Sequence, residues 1–260
     1  MKPTVSDPKY MSGHVAARSE ISSDLWVVRV RSAERTAFIP GQYVTIGLPG
    51  STRIVERPYS VASSPQEPEL EFFLEQVPGG ELTPELYKVP VGGEVYLRRS
   101  AKGRFLYDEK SGHPNHFMVA TVTGVAPYLS MLREFVARAS DRQRDLGRIV
   151  LLQAASMPVE LGYCDELSAY SREHEWFRYV PTISRIWLSP DWPGERGRAE
   201  DVTRMYLDRF GFTPADTTVY VCGNPDMVEQ VKAVLRRAGF PKESVREEMY
   251  WLAKKPSSPP

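Results

Sequence analysis

The sequence lacks an excess of charge, a set of cysteines and a long apolar run. Its 33 basic and 33 acidic residues give a formal net charge of zero, so there is no global field of the kind that holds a protein on nucleic acid. Two cysteines, Cys164 and Cys222, are too few for a disulfide framework or a cysteine-ligated iron–sulfur cluster. No segment approaches the roughly 20 apolar residues of a membrane span, and residues 1–14 lack the apolar run of a signal peptide. We therefore expect a cytoplasmic protein that binds no metal, membrane or nucleic acid.

Two different sequence patterns divide the 260 residues, a length that favours two domains over one core. Residues 13–106 form short stretches rich in Val, Ile, Tyr and Phe that end at Gly or Pro, which predicts a small antiparallel β-barrel. Beyond residue 114, apolar strands alternate with amphipathic helices, which predicts a parallel sheet with flanking helices. The expected fold is β followed by α/β, with a barrel domain over residues 1–110 and an α/β domain over residues 111–260.

The most specific motif is Arg57-Pro58-Tyr59-Ser60. Taken alone, it is compatible with an ordinary exposed strand. Its chemistry nevertheless offers a guanidinium for a pyrophosphate, a flat ring for stacking and a hydroxyl beside the ring. With the Pro-Gly-Gln-Tyr turn before it, the block of residues 38–64 resembles the ferredoxin–NADP(H) reductase family, bacterial type. The resemblance implies that all four motif residues bind FAD and that the barrel is the FAD-binding domain.

A second stretch, residues 71–83, carries the same resemblance. In the family this strand lines the flavin with backbone groups, and the turn after it places amides and a hydroxyl on the FAD pyrophosphate. The stretch also predicts a hairpin with a Gly-Gly turn, and the two interpretations are compatible. The resemblance implies six further FAD contacts: Phe73, Leu74, Glu75, Glu81, Leu82 and Thr83.

A turn of small residues, 121–127, lies between a predicted strand and a predicted helix, the position of a phosphate-binding loop. It lacks the Gly-x-Gly-x-x-Gly pattern of Rossmann dinucleotide sites. It resembles the Thr-Gly-Thr-Gly-x-Ala-Pro loop of the reductase family, except that Val122 replaces the first glycine. This implies that Thr123 contacts NADP(H). A β-branched residue at position 122 limits the approach of a ribose or pyrophosphate, so we expect a displaced nucleotide or a shifted loop.

Two motifs near the carboxyl end complete the resemblance. A cysteine at a strand end most often packs in a core, but residues 222–226 have the order Cys-Gly-x-Pro of the family's nicotinamide-side motif. This implies a Cys222 thiol near the transferred hydride and NADP(H) contacts by Asn224 and Asp226. Residues 247–251 resemble the family's Glu-x-Tyr-Trp terminus, although here the chain continues to residue 260. The resemblance implies that Tyr250 and Trp251 bind FAD, with the terminal aromatic over the flavin ring or its adenine, and that Glu248 handles a proton. The alternative is an edge strand with an apolar anchor.

Selectivity for NADPH over NADH requires groups that bind a single ribose phosphate, and arginine is the residue best suited to this. The resemblance assigns the phosphate to Arg185, with Ser184 beside it, and to Arg198. A third position, commonly arginine in bacterial relatives, is Ser156. We therefore expect clear but incomplete selectivity for NADPH.

The motifs follow the family's order over residues 13–251. They imply an FAD-dependent reductase that passes electrons between NADPH and ferredoxin or flavodoxin, with Ser60, Cys222 and Glu248 beside the reacting atoms and the redox chemistry supplied by the cofactor. We expect a monomer that meets its carrier through a local patch. The candidates are four basic residues that could equally form a solvated face: Arg98, Arg99, Lys102 and Arg104.

Three alternatives remain open at the level of sequence. Two are enzymes with the same pair of domains: an NAD(P)H-dependent flavin reductase and the reductase component of an oxygenase. The third is a nucleotide-sensing module that retains the fold without hydride transfer.

Overall fold

The computed structural model describes residues 7–138 and 147–250, which group into two compact units. The first unit consists of the described residues up to Leu106 together with Ala126–Arg138. The second consists of Tyr107–Val125 and the described residues of Ala139–Trp251. Over the described ranges, every helix is too short or too polar to cross a membrane.

A six-stranded antiparallel sheet forms the first unit, with strands in the order β4-β3-β6-β1-β2-β5. Its elements are β1 (Tyr10–Glu20), β2 (Leu25–Ser32), β3 (Tyr43–Pro49), β4 (Ile54–Ser60), β5 (Leu70–Glu75), α1 (Thr83–Tyr87) and β6 (Glu94–Arg98), and α2 (Ala126–Ala137) groups with them. The Ala62 N–H donates to the Glu71 carbonyl oxygen at 2.8 Å, so the chain just after β4 is bonded to the strand at the opposite edge. The predicted antiparallel barrel is confirmed.

Alternation of side chains along the strands builds the core of this unit. Successive residues of a strand point to opposite faces, so Trp26, Val28 and Val30 of β2 share the inner face with Phe72 and Leu74 of β5. All five side chains are at most 5% exposed. The short, Gly- and Pro-bounded stretches of the sequence are therefore the walls of one apolar barrel interior.

A six-stranded parallel sheet forms the second unit, with strands in the order β10-β9-β8-β7-β11-β12. Its elements are β7 (Asn115–Thr121), β8 (Arg148–Ala155), α3 (Cys164–Glu173), β9 (Phe177–Ile183), β10 (Glu195–Arg196), α4 (Ala199–Phe210), β11 (Thr217–Gly223), α5 (Pro225–Arg237) and β12 (Val245–Met249). The central strands are buried almost throughout, as expected when helices cover both faces of a parallel sheet. The predicted α/β architecture is confirmed.

Parallel pairing places the carboxyl ends of neighbouring strands along one edge of this sheet. The segments that leave this edge begin at residue 122 after β7, residue 156 after β8, residue 184 after β9 and residue 224 after β11. Ligands of open α/β sheets bind outside the carboxyl ends of the strands. Every residue predicted from the sequence to bind NADP(H) lies on one of these segments or on the segment after β10.

Candidate functional site

Residues 57–60 form the last four residues of β4, at one edge of the barrel sheet. An edge strand tolerates Pro58, which cannot donate to the ladder. Ser60 is buried, Tyr59 is half-buried, and Arg57 is exposed. Burial raises the pKa of Tyr59 to about 12, so its hydroxyl stays protonated and its ring is uncharged at neutral pH.

The Arg57 guanidinium connects the two predicted FAD stretches. Its Nη2 lies 3.2 Å from Glu81 Oε2, with both side chains more than half exposed. An exposed ion pair of this kind contributes little to stability, so the guanidinium is available to a stronger anion. A diphosphate suits this donor because its oxygens accept bidentate hydrogen bonds from guanidinium.

The turn between β5 and α1 brings further donors to this region. The Val77 N–H donates to the Thr83 hydroxyl oxygen at 3.0 Å, which leaves the hydroxyl hydrogen free to donate elsewhere. Gly79 has φ of +75° with no atom within 4 Å of the space that a side chain would fill. The chemistry of this set, a cation, a hydroxyl and an open glycine turn beside a half-buried ring, fits FAD.

The remaining residues of the second stretch differ in what their side chains can reach. Leu74 and Leu82 are buried in the barrel core, so only their backbone groups are available to a ligand. Phe73 is also buried but lies outside that core cluster, in accordance with the alternation of faces along β5. Glu75, the last residue of the strand, is half-buried.

In the second unit, two glycines allow the loops after β7 and β11 to touch. A Cβ added at Gly124 would lie 2.4 Å from the Cys222 carbonyl oxygen, and one at Gly223 would lie 2.2 Å from Thr121 Oγ1. The same Thr121 hydroxyl accepts the Asn224 N–H at 2.9 Å. The predicted phosphate loop and the predicted Cys-Gly-x-Pro motif therefore form one structure.

Val122 adopts a left-handed backbone conformation within this structure, with φ of +42°. Such a conformation is a genuine outlier for a β-branched residue. Its half-buried side chain packs against a small apolar cluster formed by Ala155 and Ile183, the last residues of β8 and β9, and by Leu161. Residues 122–125 form a 3₁₀ turn, and Thr123 is half-buried in it.

Cys222 and Glu248 are opposite each other in the pairing of β11 with β12. Burial raises the pKa of the fully buried Cys222 thiol, and the Glu248 carboxylate adds to this effect. The Tyr250 N–H donates to the Gly223 carbonyl oxygen at 2.8 Å, which holds Tyr250 beside the same motif. The third predicted catalytic residue, Ser60, belongs to the first unit, and Trp251 lies outside the described residues.

Asn224 and Asp226 have structural tasks at the start of α5. The Asn224 side-chain oxygen accepts the Asp226 N–H at 2.9 Å and the Met227 N–H at 3.4 Å, which makes Asn224 the N-cap of the helix. Asp226 is exposed in the first turn, where a negative charge interacts favourably with the helix dipole and stabilises the helix. Only the amide nitrogen of the Asn224 side chain is left for a ligand.

The three positions predicted to decide between NADPH and NADH lie on neighbouring segments. The Arg185 N–H donates to the Ser156 carbonyl oxygen at 3.0 Å, and the Gly197 N–H donates to the Ile183 carbonyl oxygen at 2.9 Å. Ser184 is bonded in the same way to Ala155. The side chains of Arg185 and Arg198 are exposed. Tertiary structure thus brings together residues that are up to 42 positions apart in the sequence (156 to 198).

Sequence reasoning missed a polar contact between α2 and the chain that follows β4. Ser130 Oγ donates to the Ser63 carbonyl oxygen at 2.7 Å, and Ser64 Oγ donates to Glu134 Oε2 at 2.7 Å. Arg133 lies between them and donates to Glu71 at 2.8 Å. The spacing of these three helical residues, i, i+3 and i+4, places them on one face. Polar residues at an otherwise apolar helical face were the available signal.

Comparison with known proteins identifies the class. Residues 12–107 match the family model of the oxidoreductase FAD-binding domain, and residues 118–233 match that of the oxidoreductase NAD-binding domain. The chain is 30% identical over 216 residues to the ferredoxin–NADP reductase of Pseudomonas aeruginosa, which covers 78% of this chain and 80% of the relative. It is 28% identical over 244 residues to the reductase component of phenol 2-monooxygenase from a Pseudomonas species, which covers 93% of this chain and 65% of that protein.

A solved structure has the same fold. The ferredoxin NADP⁺ reductase of Neisseria gonorrhoeae, with bound FAD and NADP, aligns with a TM-score of 0.83 at 24% identity, covering 94% of this chain and 99% of that one. By class the protein is an oxidoreductase with an FAD-binding and an NAD-binding domain. The chain belongs to the ferredoxin–NADP reductase family. The predictions of family, of oxidoreductase activity and of its two cofactor classes are confirmed.

Proposed function

We propose that this protein is an FAD-dependent reductase that transfers electrons between NADPH and ferredoxin or flavodoxin. The observation that carries the choice of NADPH is the adjacency of the segments bearing Arg185 and Arg198. The Gly197 N–H, just before Arg198, donates to the Ile183 carbonyl oxygen at the end of β9, two residues before Arg185. When bound, FAD accepts two electrons together from a nicotinamide and passes them on singly. Residues 1–110 would hold FAD and residues 111–260 NADPH, in agreement with the two family matches.

In the first unit, three residues of β4 would hold the flavin. Arg57 binds the diphosphate in place of its exposed partner Glu81, with help from the Thr83 hydroxyl. The Tyr59 ring offers a flat, uncharged surface for stacking. Ser60 offers its hydroxyl to the reactive edge of the ring system. The backbone of residues 73–75 and the amides of residues 81–83 complete the binding.

In the second unit, the joined loops after β7 and β11 would receive the nucleotide. Gly124 and Gly223 let the two loops approach closely, which positions the Thr123 hydroxyl, the Asn224 amide and the Asp226 segment at one edge. The Cys222 thiol remains protonated, since burial raises its pKa. It therefore offers an uncharged contact and not a nucleophile. Glu248, opposite Cys222 in the sheet, is the proposed proton-handling group, and Tyr250 with Trp251 the proposed aromatic cover of the flavin.

Steady-state diaphorase kinetics with both nucleotides test the proposal. We expect a higher kcat/KM for NADPH than for NADH. Because a hydrogen bond to a charged group contributes about 1.5 to 3 kcal/mol, Arg185→Ala or Arg198→Ala should raise the KM for NADPH at least tenfold and leave NADH almost unchanged. Arg196→Ala, an exposed arginine in the same segment, is the matched control. An equal or higher kcat/KM for NADH in the unmodified protein would contradict the assignment of both arginines.

The similarity to the phenol 2-monooxygenase reductase component favours a second candidate, reduction of an oxygenase. The chain has two cysteines, and residues 7–138 and 147–250 contain no group of three or more His, Cys, Asp or Glu side chains that could hold a metal. An iron–sulfur centre for that reaction would therefore belong to another chain or domain. Purified protein that reduces a [2Fe–2S] oxygenase component faster than ferredoxin or flavodoxin would support this second function.

A further inference from the structure

The segment between β9 and α4 contains two tryptophans in opposite environments. Trp192 is half-buried against the apolar cluster of Ala155, Leu161 and Ile183, and its Nε1–H donates to the Glu195 carbonyl oxygen at 2.9 Å. Trp187 is 71% exposed, the largest exposed fraction among the large apolar side chains of the described residues. Trp192 thus anchors the segment, whereas Trp187 is mostly exposed and contributes little buried area to the fold.

A single 3₁₀ turn determines where Trp187 lies. The turn spans Ile186–Leu188, and the Leu188 N–H donates to the Arg185 carbonyl oxygen at 3.0 Å. With three residues per turn, consecutive side chains point in three directions. Ile186 takes the inward direction and packs against the apolar cluster. Trp187 and Leu188 are consequently turned to solvent, next to Arg185.

Neither Trp187 nor the Arg185 side chain is engaged within the part of the chain that the structure describes. No hydrogen bond, ion pair or ring contact of either side chain occurs among those residues. An indole ring offers a large rigid area for stacking and a guanidinium offers directed donors for phosphate. A flat surface and an unpaired cation in one turn match a ligand that has a flat base close to a phosphate.

We propose that Trp187 stacks on the adenine of NADPH and so determines affinity for the adenosine end, while Arg185 and Arg198 bind the 2′-phosphate. This inference rests on the proposed function. Its distinguishing feature is that stacking does not depend on the phosphate. Loss of the ring should therefore weaken every adenine nucleotide alike, whereas loss of an arginine should weaken only those with the 2′-phosphate.

Binding of two fragments to the flavin-containing protein separates these contributions. The fragments are 2′,5′-ADP, measured by titration calorimetry, and 5′-AMP, measured by competition against it or by ligand-observed NMR. Removal of an aromatic side chain that stacks on a base typically lowers the affinity for that base severalfold or more. Trp187→Ala should therefore weaken the binding of both fragments about tenfold. Trp187→Phe should restore most of the affinity, and Arg185→Ala should weaken 2′,5′-ADP alone. Leu188→Ala, 57% exposed in the same turn, should change neither.

The outcomes distinguish the inference from the proposed function. Equal affinity of the unmodified protein for the two fragments would overturn selectivity for NADPH, yet weaker binding of 5′-AMP by Trp187→Ala would still support stacking. Unchanged binding of both fragments by Trp187→Ala would overturn the inference whatever the result for Arg185. Slower reduction of the protein carrier by Trp187→Ala, with unchanged fragment binding, would also overturn it and would assign the ring to a protein-docking surface. No binding of either fragment would overturn both proposals.

Discussion

At the scale of single residues, Val122 shows how a local departure is accommodated. Its left-handed backbone, with φ of +42°, costs about 1 to 3 kcal/mol for a residue other than glycine. The packing of its side chain against Ala155, Leu161 and Ile183 offsets part of this cost. Residues 122–125 thus still form a 3₁₀ turn. The Val122 side chain covers apolar surface that a glycine at this position would leave uncovered.

We predict that Val122→Gly lowers the KM for NADPH severalfold, with kcat little changed, because the side chain no longer limits the approach of the nucleotide. The free energy of unfolding should change by less than about 1 kcal/mol, since relief of strain opposes the lost packing and the larger chain entropy of glycine. Val122→Ala, which keeps a Cβ at positive φ, should give a smaller effect on KM. A raised KM in Val122→Gly, measured by steady-state kinetics, would show that the side chain supports the nucleotide.

The second prediction at this scale concerns Arg57. Arg57→Ala should purify folded but largely without flavin, because the variant loses the cation that we propose binds the diphosphate and retains Glu81 nearby. The ratio of flavin to protein absorbance, together with circular dichroism, measures this. Arg53→Ala, which removes an exposed arginine just before β4, is the matched control and should stay yellow. A fully yellow Arg57→Ala protein would show that Arg57 is not needed for flavin binding and that the motif is an ordinary strand.

At the scale of elements, α2 stabilises the chain that follows β4. Arg133 contacts the Ala62 carbonyl oxygen at 3.2 Å and Glu71 at 2.8 Å, and Glu71 receives a second cation from Arg29 at 2.7 Å. Glu71 is 2% exposed, so its charge requires such partners. A helix that follows β7 in the sequence thereby helps to hold residues 61–64.

The pairing of β7 with β11 contains a buried histidine that should make stability depend on pH. His116 is 3% exposed, and its Nδ1 lies 3.2 Å from the Tyr220 hydroxyl. Burial lowers the pKa of His116 from 6.5 to about 4. The unfolded chain therefore binds more protons than the folded protein between these values, so stability is retained above pH 6.5 and is lost as pH falls toward 4.

We expect His116 alone to lower the free energy of unfolding by about 2 kcal/mol between pH 7.5 and pH 5, from roughly 1.4 kcal/mol per unit of pKa shift. His116→Gln keeps a polar group without a titrating charge, so its urea unfolding should lose correspondingly less stability over this range. His14→Gln, on the exposed side of β1, should behave like the unmodified protein. The same pH dependence in His116→Gln and in the unmodified protein would contradict the assignment.

At the scale of the whole molecule, charge is balanced locally as well as in total. Arg98 pairs with Glu56, and Arg99 lies 2.6 Å from Glu34. Within residues 7–138 and 147–250, the side chains of Lys102 and Arg104 have no such partner. The four-residue basic run predicted from the sequence is therefore reduced to two unpaired cations.

Docking of an acidic carrier should depend on those two cations. Lys102→Glu combined with Arg104→Glu should slow reduction of ferredoxin or flavodoxin and flatten its salt dependence, because complementary charge acts mainly on the rate of encounter. Reduction of ferricyanide should stay normal. The control is Arg204→Glu with Arg209→Glu on α4, which changes the net charge equally. An equal decrease in the rates of carrier reduction and ferricyanide reduction would indicate damage to the flavin site.

The sequence by itself determined the order of the two domains, the type of each sheet and the contiguous motifs. Strand type follows from alternating or continuous apolar residues, which are local patterns, and Arg57, Tyr59 and Ser60 share one strand, so their spacing is set by strand geometry. A helix or strand imposes these relations whatever surrounds it. That is why the barrel and the parallel sheet could be predicted from sequence, whereas the family was predicted from the resemblance of the motifs.

Only the tertiary structure decided which distant residues meet and which side chains are left free. The adjacency of Ser156, Arg185 and Arg198 depends on the order of β8, β9 and β10 in the sheet, which no local pattern encodes. Burial of Leu82 in the barrel core and the capping of α5 by Asn224 likewise follow from packing and chain direction. The left-handed conformation of Val122 opposes its own backbone preference, so it is imposed by the surrounding fold, and contacts from β8 and β9 offset part of the local cost.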